Sequence, residues 1–209
     1  MTVRMVQARL SLALVGTFLG LLGTLHVLEP EYNSGHLISE YQLSRHGWMM
    51  SLAFWCLSLA AMLEAHRIPR PLQTRSGQFG SGGLWLPDVA FFAAGFFPPI
   101  QTRPIVAYVH GVSGLVVILG APIVFLLVSV ALAHVRAWAC TSPHVWWATA
   151  LAWVGMLSFL GFTASFASRT VADPAMVLHP TITISNRVMI VTYCLWFAVA
   201  AWAPARRAS

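Results

Sequence analysis

Lysine is absent from this 209-residue chain, and acids are scarce, with only six Asp and Glu against 12 Arg. Charged residues make up 9 % of it; a soluble globular domain carries about 25 %. That deficit excludes an ordinary soluble enzyme, a disordered chain and a solvated coiled coil. The net charge of +6 does not come from a basic patch. The arginines stand singly at the ends of apolar runs, so no nucleic-acid partner is expected. Cysteine offers no framework either. Cys56, Cys140 and Cys194 are an odd set without CxxC spacing, and they fit buried thiols that act as small hydrophobes. The motifs GxSxG, HExxH, Walker A and the Rossmann fingerprint are all missing.

What is present is apolar. Hydrophobic residues make up 58 % of the chain, and the mean hydropathy is +0.73. A transmembrane helix needs about 20 mostly apolar residues to cross a hydrocarbon core about 30 Å thick. Six runs qualify as spans, at 10–28, 47–63, 84–97, 105–133, 145–166 and 182–203. The third is short. Pro87 reads as a first-turn proline with Asp88 at the positive helix end, and Pro98-Pro99 closes the run. The first run follows a basic segment, but it is longer than the apolar core of a signal peptide, and no small-x-small site follows. It is expected to be a retained helix.

Arginine placement sets the direction. With the N-terminus inside, eight arginines fall on the inner side (Arg4, Arg9, Arg67, Arg70, Arg75, Arg136, Arg206, Arg207). Four fall outside: Arg45, Arg103, Arg169 and Arg187. The positive-inside rule then places both termini in the cytoplasm, which requires an even number of spans. The expected fold is all-α: a polytopic membrane protein built as a bundle of six transmembrane helices in one domain, residues 1–209. The inner segment from Glu64 to Gly83, ending in SGQFGSGG, reads as a flexible cytoplasmic linker.

The entry to the second helix carries a capping pattern. Ser39 and Gln42 fit a capping box, Ile38 and Leu43 a hydrophobic staple, and Glu40 the positive helix end, so the helix is expected to begin near Glu40. Beyond capping, Glu40, Ser44, Gly47, Ser51 and Ser58 share one helical face. A polar, small-residue face must look at other helices or a wet cavity, not at lipid.

Polar groups gather toward the outer end. His26, His36, His46, His110 and His179 fall there, with Glu29, Glu31, Glu40, Tyr108, Arg169, Asn186 and Arg187. An arginine near a helix start must turn inward and find an acid, and Glu40 is the first choice for Arg187. His110-Gly111, with Gly114 one turn on, sets an imidazole beside a surface that another helix can approach. Gly16 and Gly20 form a GxxxG, a candidate packing contact.

Three places together resemble a known family. They are Ile38-Ser39-Glu40-Tyr41-Gln42-Leu43 with Arg45, Gly47 and Trp48; Gly95-Phe96-Phe97-Pro98-Pro99 followed by His110-Gly111; and Ser185-Asn186-Arg187 with Tyr193, Leu195 and Trp196. In order and spacing they resemble the bacterial and archaeal membrane proteins grouped as domain-of-unknown-function family 998. The resemblance spans about residues 10 to 203. It departs after Phe97, where Pro-Pro-Ile replaces a Thr-Asp-Pro type of turn. It implies a six-helix membrane protein and no known activity.

Function therefore rests on the residues. The favoured expectation is a non-enzymatic protein of the cell (inner) membrane. It would bind a lipid, a small hydrophobic ligand or a membrane partner through a polar pocket in the outer half, with Arg187, Asn186, Tyr108 and Arg169 as ligand-binding candidates. Membrane lipid is the expected surrounding partner, and a homo-oligomer or a subunit role is open. An alternative is a membrane-embedded enzyme with Glu40 and His110 as catalytic carboxylate and base, which requires both to converge on one cavity. A second alternative is a haem or metal subunit with His26 and His110 as ligands; no HxxxH or HxxE spacing within a helix supports it, and the cofactor is unknown. A transporter subunit would need two unwound helices, and only the Pro98-Pro99 break is visible.

Overall fold

The computed structural model describes residues 3–68, 75–135, 142–170 and 180–202. Those residues form helices and connecting turns, with no strand among them. In chain order the helices are α1 (Val3–Leu28), α2 (Gly47–Arg67), α3 (Arg75–Gly83), α4 (Trp85–Phe96), α5 (Pro104–Leu115), α6 (Ala121–Ala133), α7 (Ser142–Thr170) and α8 (Pro180–Trp202). A π turn, Val116–Gly120, joins α5 to α6, and two 3-10 turns, Pro30–Tyr32 and Ile38–Leu43, lie between α1 and α2. Among the described residues, five helical rods are long and apolar enough to cross a membrane: Met5–Leu28, Gly47–Arg67, Pro104–Ala133, Ser142–Ser168 and Pro180–Trp202. The chain is a multi-pass membrane protein of helices, as its composition dictates.

The region of the third expected span differs most from expectation. The Gly/Ser stretch is not a flexible linker but the helix α3, seated on α6. A Cβ at Gly80 would meet the Val128 backbone nitrogen at 3.0 Å, and one at Gly83 would meet the Val124 side chain at 2.9 Å. Small residues thus bring two backbones together, and dispersion contacts hold them in place of a hydrophobic driving force. The Leu84 N–H donates to Gly80 O at 3.2 Å, so α3 runs on into α4. The break between them follows from Pro87, whose ring displaces the carbonyl four residues back, at Gly83.

Two other packing expectations also change. Gly16 and Gly20 meet nothing within 4 Å and face away from the bundle, so their GxxxG makes no contact inside the chain. The close crossings lie elsewhere. A Cβ at Gly155 on α7 would meet Met189 Cα on α8 at 3.0 Å, and one at Gly95 on α4 would collide with Trp55 of α2.

The core is aromatic with a polar thread. Phe125 of α6 stacks on Trp196 of α8, with centroids 4.1 Å apart and planes 9° apart. The Trp196 Nε1–H donates to Thr149 Oγ1 at 2.9 Å, and Thr149 meets Ser129 at 2.7 Å. Every member of that thread is buried and partnered, which joins α6, α7 and α8 without an orphaned polar group. Pro122 creates the next requirement. Lacking an N–H, it frees the carbonyl of Ile118, and the Tyr193 hydroxyl donates to that oxygen at 2.9 Å.

Candidate functional site

Residues 29–46 form a cap over one end of the bundle, and side-chain acceptors hold its turns. Glu29, 4 % exposed, accepts from the His46 backbone N–H at 2.9 Å and lies 2.6 Å from the His46 ring Nδ1. Burial pushes the Glu29 carboxyl up, but the hydrogen bonds from His46, joined by those with Glu31 and Ser44, outweigh it and hold the group below its ordinary value. Asn33 accepts from the Tyr41 hydroxyl at 2.7 Å and donates to His26 O at 3.0 Å. Ser39 and Gln42 do not make the expected capping box; the reciprocal half of one forms two residues earlier, between Leu37 and Glu40. Glu40 Oε2 accepts from the Leu37 N–H at 2.6 Å, and the segment is a 3-10 turn, with α2 starting at Gly47. Gln42 is drawn away from the cap to bond Ser51 Oγ at 3.0 Å and Ala94 O at 2.9 Å. The polar face of α2 therefore meets α4, as its pattern requires; lower down, the Ser58 hydroxyl donates to Asp88 Oδ1 at 2.6 Å.

Arg187, near the start of α8, fastens the cap. Its Nε–H donates to His26 Nε2 at 2.8 Å, and its two terminal nitrogens reach Tyr32 O (2.8 Å), Thr183 O (3.0 Å), His36 O (3.3 Å) and the Tyr41 hydroxyl (3.3 Å). Five donors meet five acceptors. Among the described residues no carboxylate pairs with it: Glu40, its expected partner, lies 3.3 Å from the His36 ring instead. The guanidinium is a structural clamp with no N–H left for an outside ligand. His26 is committed in turn, because its Nδ1–H donates to Leu22 O at 2.8 Å while Nε2 accepts from Arg187.

Beneath the cap lies a cavity of about 270 Å³. Phe54, Phe91 and Phe159 form much of its apolar wall, and His110, Asn186 and Ser39 supply its polar groups. Gly111 and Gly114 also line it, and a Cβ on either would meet nothing within 4 Å. These glycines open a space and do not seat a helix, which corrects the expectation drawn from their spacing. The site is an apolar chamber with a few polar groups, rather than a polar pocket. Asn186 Oδ1 accepts from the Ile38 N–H at 3.0 Å, so the floor of the cap is tied to a wall of the chamber. The His110 Nδ1–H donates to Phe97 O at 2.6 Å. The π turn, a distortion frequent at functional sites, places Val117 and Ile118 on the lining.

Of the residues singled out in the sequence, His110 and Asn186 come together here. Glu40 is not on the lining, so the carboxylate–imidazole pair does not share this cavity. Tyr108 is 73 % exposed on the far side of α5. His26 belongs to the Arg187 clamp, and among the described residues no three His, Cys, Asp or Glu side chains gather as a metal site. The Arg169 side chain and His179 lie outside the described residues. Sequence reasoning missed a second buried pair at the opposite end. Arg67 donates to Glu64 through Nε at 3.2 Å and through a terminal nitrogen, which also reaches Ala200 O on α8. Their spacing of three was the available signal.

A family model described as a protein of unknown function (DUF998) matches residues 11–203, the family that the three motifs resemble. No curated protein and no solved structure matches the chain.

Proposed function

The chain belongs to the DUF998 family, and from that premise we propose that it is a six-pass protein of the cell membrane that holds a small lipophilic molecule in the chamber beneath the cap. The chamber carries this reading. Ligand sites are concave, mostly apolar and fitted with a few placed polar groups, at volumes of about 300–1,000 Å³. This one, at about 270 Å³, falls just below that range and suits a single chain or ring system. Its access is lateral: α5 packs on α4, while Gly111, Leu115 and Phe162 stay exposed on α5 and α7 at the same end. A ligand would enter from the leaflet, not from water.

Six passes follow from adding α3 to α4. The two helices and Leu84 make a rod of roughly 22 residues, about 33 Å at 1.5 Å per residue, which matches the hydrocarbon thickness. The arginine count then puts both termini and the segment joining α2 to α3 in the cytoplasm and the cap on the exoplasmic face. Reporter fusions after Arg67 and within 29–46 test this; a cytoplasmic cap would overturn it.

The non-enzymatic reading is favoured because Glu40 closes the turn at Leu37 and does not face the chamber. The test of binding is solvent extraction of the purified protein and mass spectrometry of what it retains. The control is a Gly114→Leu variant, which fills the chamber. Retention of the same lipids in equal amount by both proteins would sink the proposal.

A further inference from the structure

The chamber's hydrogen-bonding groups are fixed in direction by bonds made outside it. Asn186 is 7 % exposed and His110 8 %. Asn186 turns Oδ1 toward the Ile38 N–H, so the end of the amide left for an occupant is its N–H pair. His110 spends Nδ1–H on Phe97 O, so the neutral ring keeps its lone pair on Nε2. One wall residue is left with a donor and the other with an acceptor. Ser39 adds a hydroxyl that can do either, and no Asp, Glu, Lys or Arg is on the lining. A charged head would lose its hydration against a wall with no charged residue, since Glu40, which acts on His110 electrostatically, stands outside the lining. An ether or ketone can accept from Asn186 but leaves Nε2 unpaired, and a pure hydrocarbon satisfies neither group.

We propose that the chamber selects an uncharged amphiphile whose polar end is a hydroxyl, donating to His110 Nε2 and accepting from Asn186 Nδ2, with its hydrocarbon tail among Phe54, Phe91 and Phe159. A long-chain or isoprenoid alcohol is the chemical class that fits. The inference rests on the reading of the chamber as a ligand site.

The experiment uses the full chain in micelles. The protein is equilibrated with an equimolar mixture of 1-decanol, decyl methyl ether, decane, decanoate and decylammonium, passed through a sizing column, and the retained compounds are quantified. The Gly114→Leu protein gives the blank for micelle partitioning. Decanol is expected in about tenfold excess over the ether and decane, the discrimination that one unpaired buried polar group supplies, with the two ions at the blank. Asn186→Asp keeps an acceptor for Ile38 but removes the donor, and His110→Phe keeps a ring on the wall but removes the acceptor, together with the bond to Phe97. Either folded variant is expected to cut the preference to less than threefold. Equal retention of decanol, ether and decane above the blank would overturn the hydroxyl assignment and leave the lipophilic chamber standing. All five compounds at the blank would overturn the chamber as a ligand site, and the assignment with it. Preferential retention of an ion would also refute the assignment.

Discussion

Arg187 donates to Nε2 of His26 across 2.8 Å, so a permanent cation and a neutral imidazole hold the cap to the bundle without a carboxylate between them. The contact works because the five guanidinium donors lie in one plane and the acceptors around them include two backbone carbonyls fixed by the cap's own turns, Tyr32 and His36, and one from α8 itself, Thr183. Lysine has the charge but three donors and no plane. Arg187→Lys is therefore expected to lower stability by about 2 kcal/mol, since hydrogen bonds to charged groups contribute about 1.5–3 kcal/mol each and several are lost while others re-form. Unfolding in mixed micelles measures the loss, and limited proteolysis within 29–46 should speed up more than cleavage elsewhere. A cap no more sensitive than in the parent protein would contradict the clamp.

Glu29 gives the cap a pH dependence of known sign. Its carboxyl sits below the ordinary value of 4.5 because hydrogen bonds with His46, Glu31 and Ser44 outweigh its burial. A carboxylate with a lowered folded value contributes stability that is complete above its unfolded value and is lost as pH falls through the folded one. The advantage of the parent protein over Glu29→Gln should be level near neutrality and disappear as pH drops below about 4.5. Melting temperatures of both proteins from pH 7 to pH 3 check it. A gap that widens on acidification would reverse the assignment.

The helices were legible in the sequence and the side-chain partnerships only partly so. Apolar run length decides spans nearly alone, because lipid forbids an unpaired backbone, and the 105–133 and 182–203 runs became Pro104–Ala133 and Pro180–Trp202. The Gly/Ser stretch misled because the same residues that make a linker flexible in water let two helices touch in lipid. Arg187 was rightly expected to turn inward. Its partners were missed because an acid is the default, while the Tyr32 and His36 carbonyls that serve it are placed only once the cap has folded. His110 and Asn186 were visible as polar residues at one end. That they line one chamber depends on the absence of side chains at Gly111 and Gly114, and spacing does not distinguish a glycine that seats a helix from one that opens a space.

That ambiguity resolves into a contrast between glycines. Gly111→Ala and Gly114→Ala add a methyl to open space and should be neutral in stability, or gain a few tenths of a kcal/mol in helix propensity. Gly95→Ala drives a methyl into Trp55 and toward Ser51 O at 3.1 Å, and should cost about 1–3 kcal/mol. Gly155→Ala, against the Met189 backbone and Thr192, should fall in the same range. Four single variants compared in one denaturation series are enough. Equal losses at all four would mean that Gly111 and Gly114 pack against a neighbour after all.

Tyr193 and Pro122 offer the sharpest test of how the broken helix is repaired. Pro122 cannot donate to Ile118 O, and Tyr193 donates to it from the neighbouring helix. Tyr193→Phe alone leaves that carbonyl unpaired in the bundle interior. It should cost about 1 kcal/mol, since single interhelical hydrogen bonds in membrane proteins average about 0.6 and reach about 1.7 kcal/mol. Pro122→Ala supplies a backbone N–H at the position that lacks one, four residues after Ile118, so the oxygen can be served from within its own helix. In the Pro122→Ala background Tyr193→Phe should therefore cost much less, and the double-mutant cycle should show coupling of at least 0.5 kcal/mol. Additive effects would mean that the tyrosine hydroxyl does not substitute for the missing backbone donor, and that the π turn at Val116–Gly120 accommodates the proline alone.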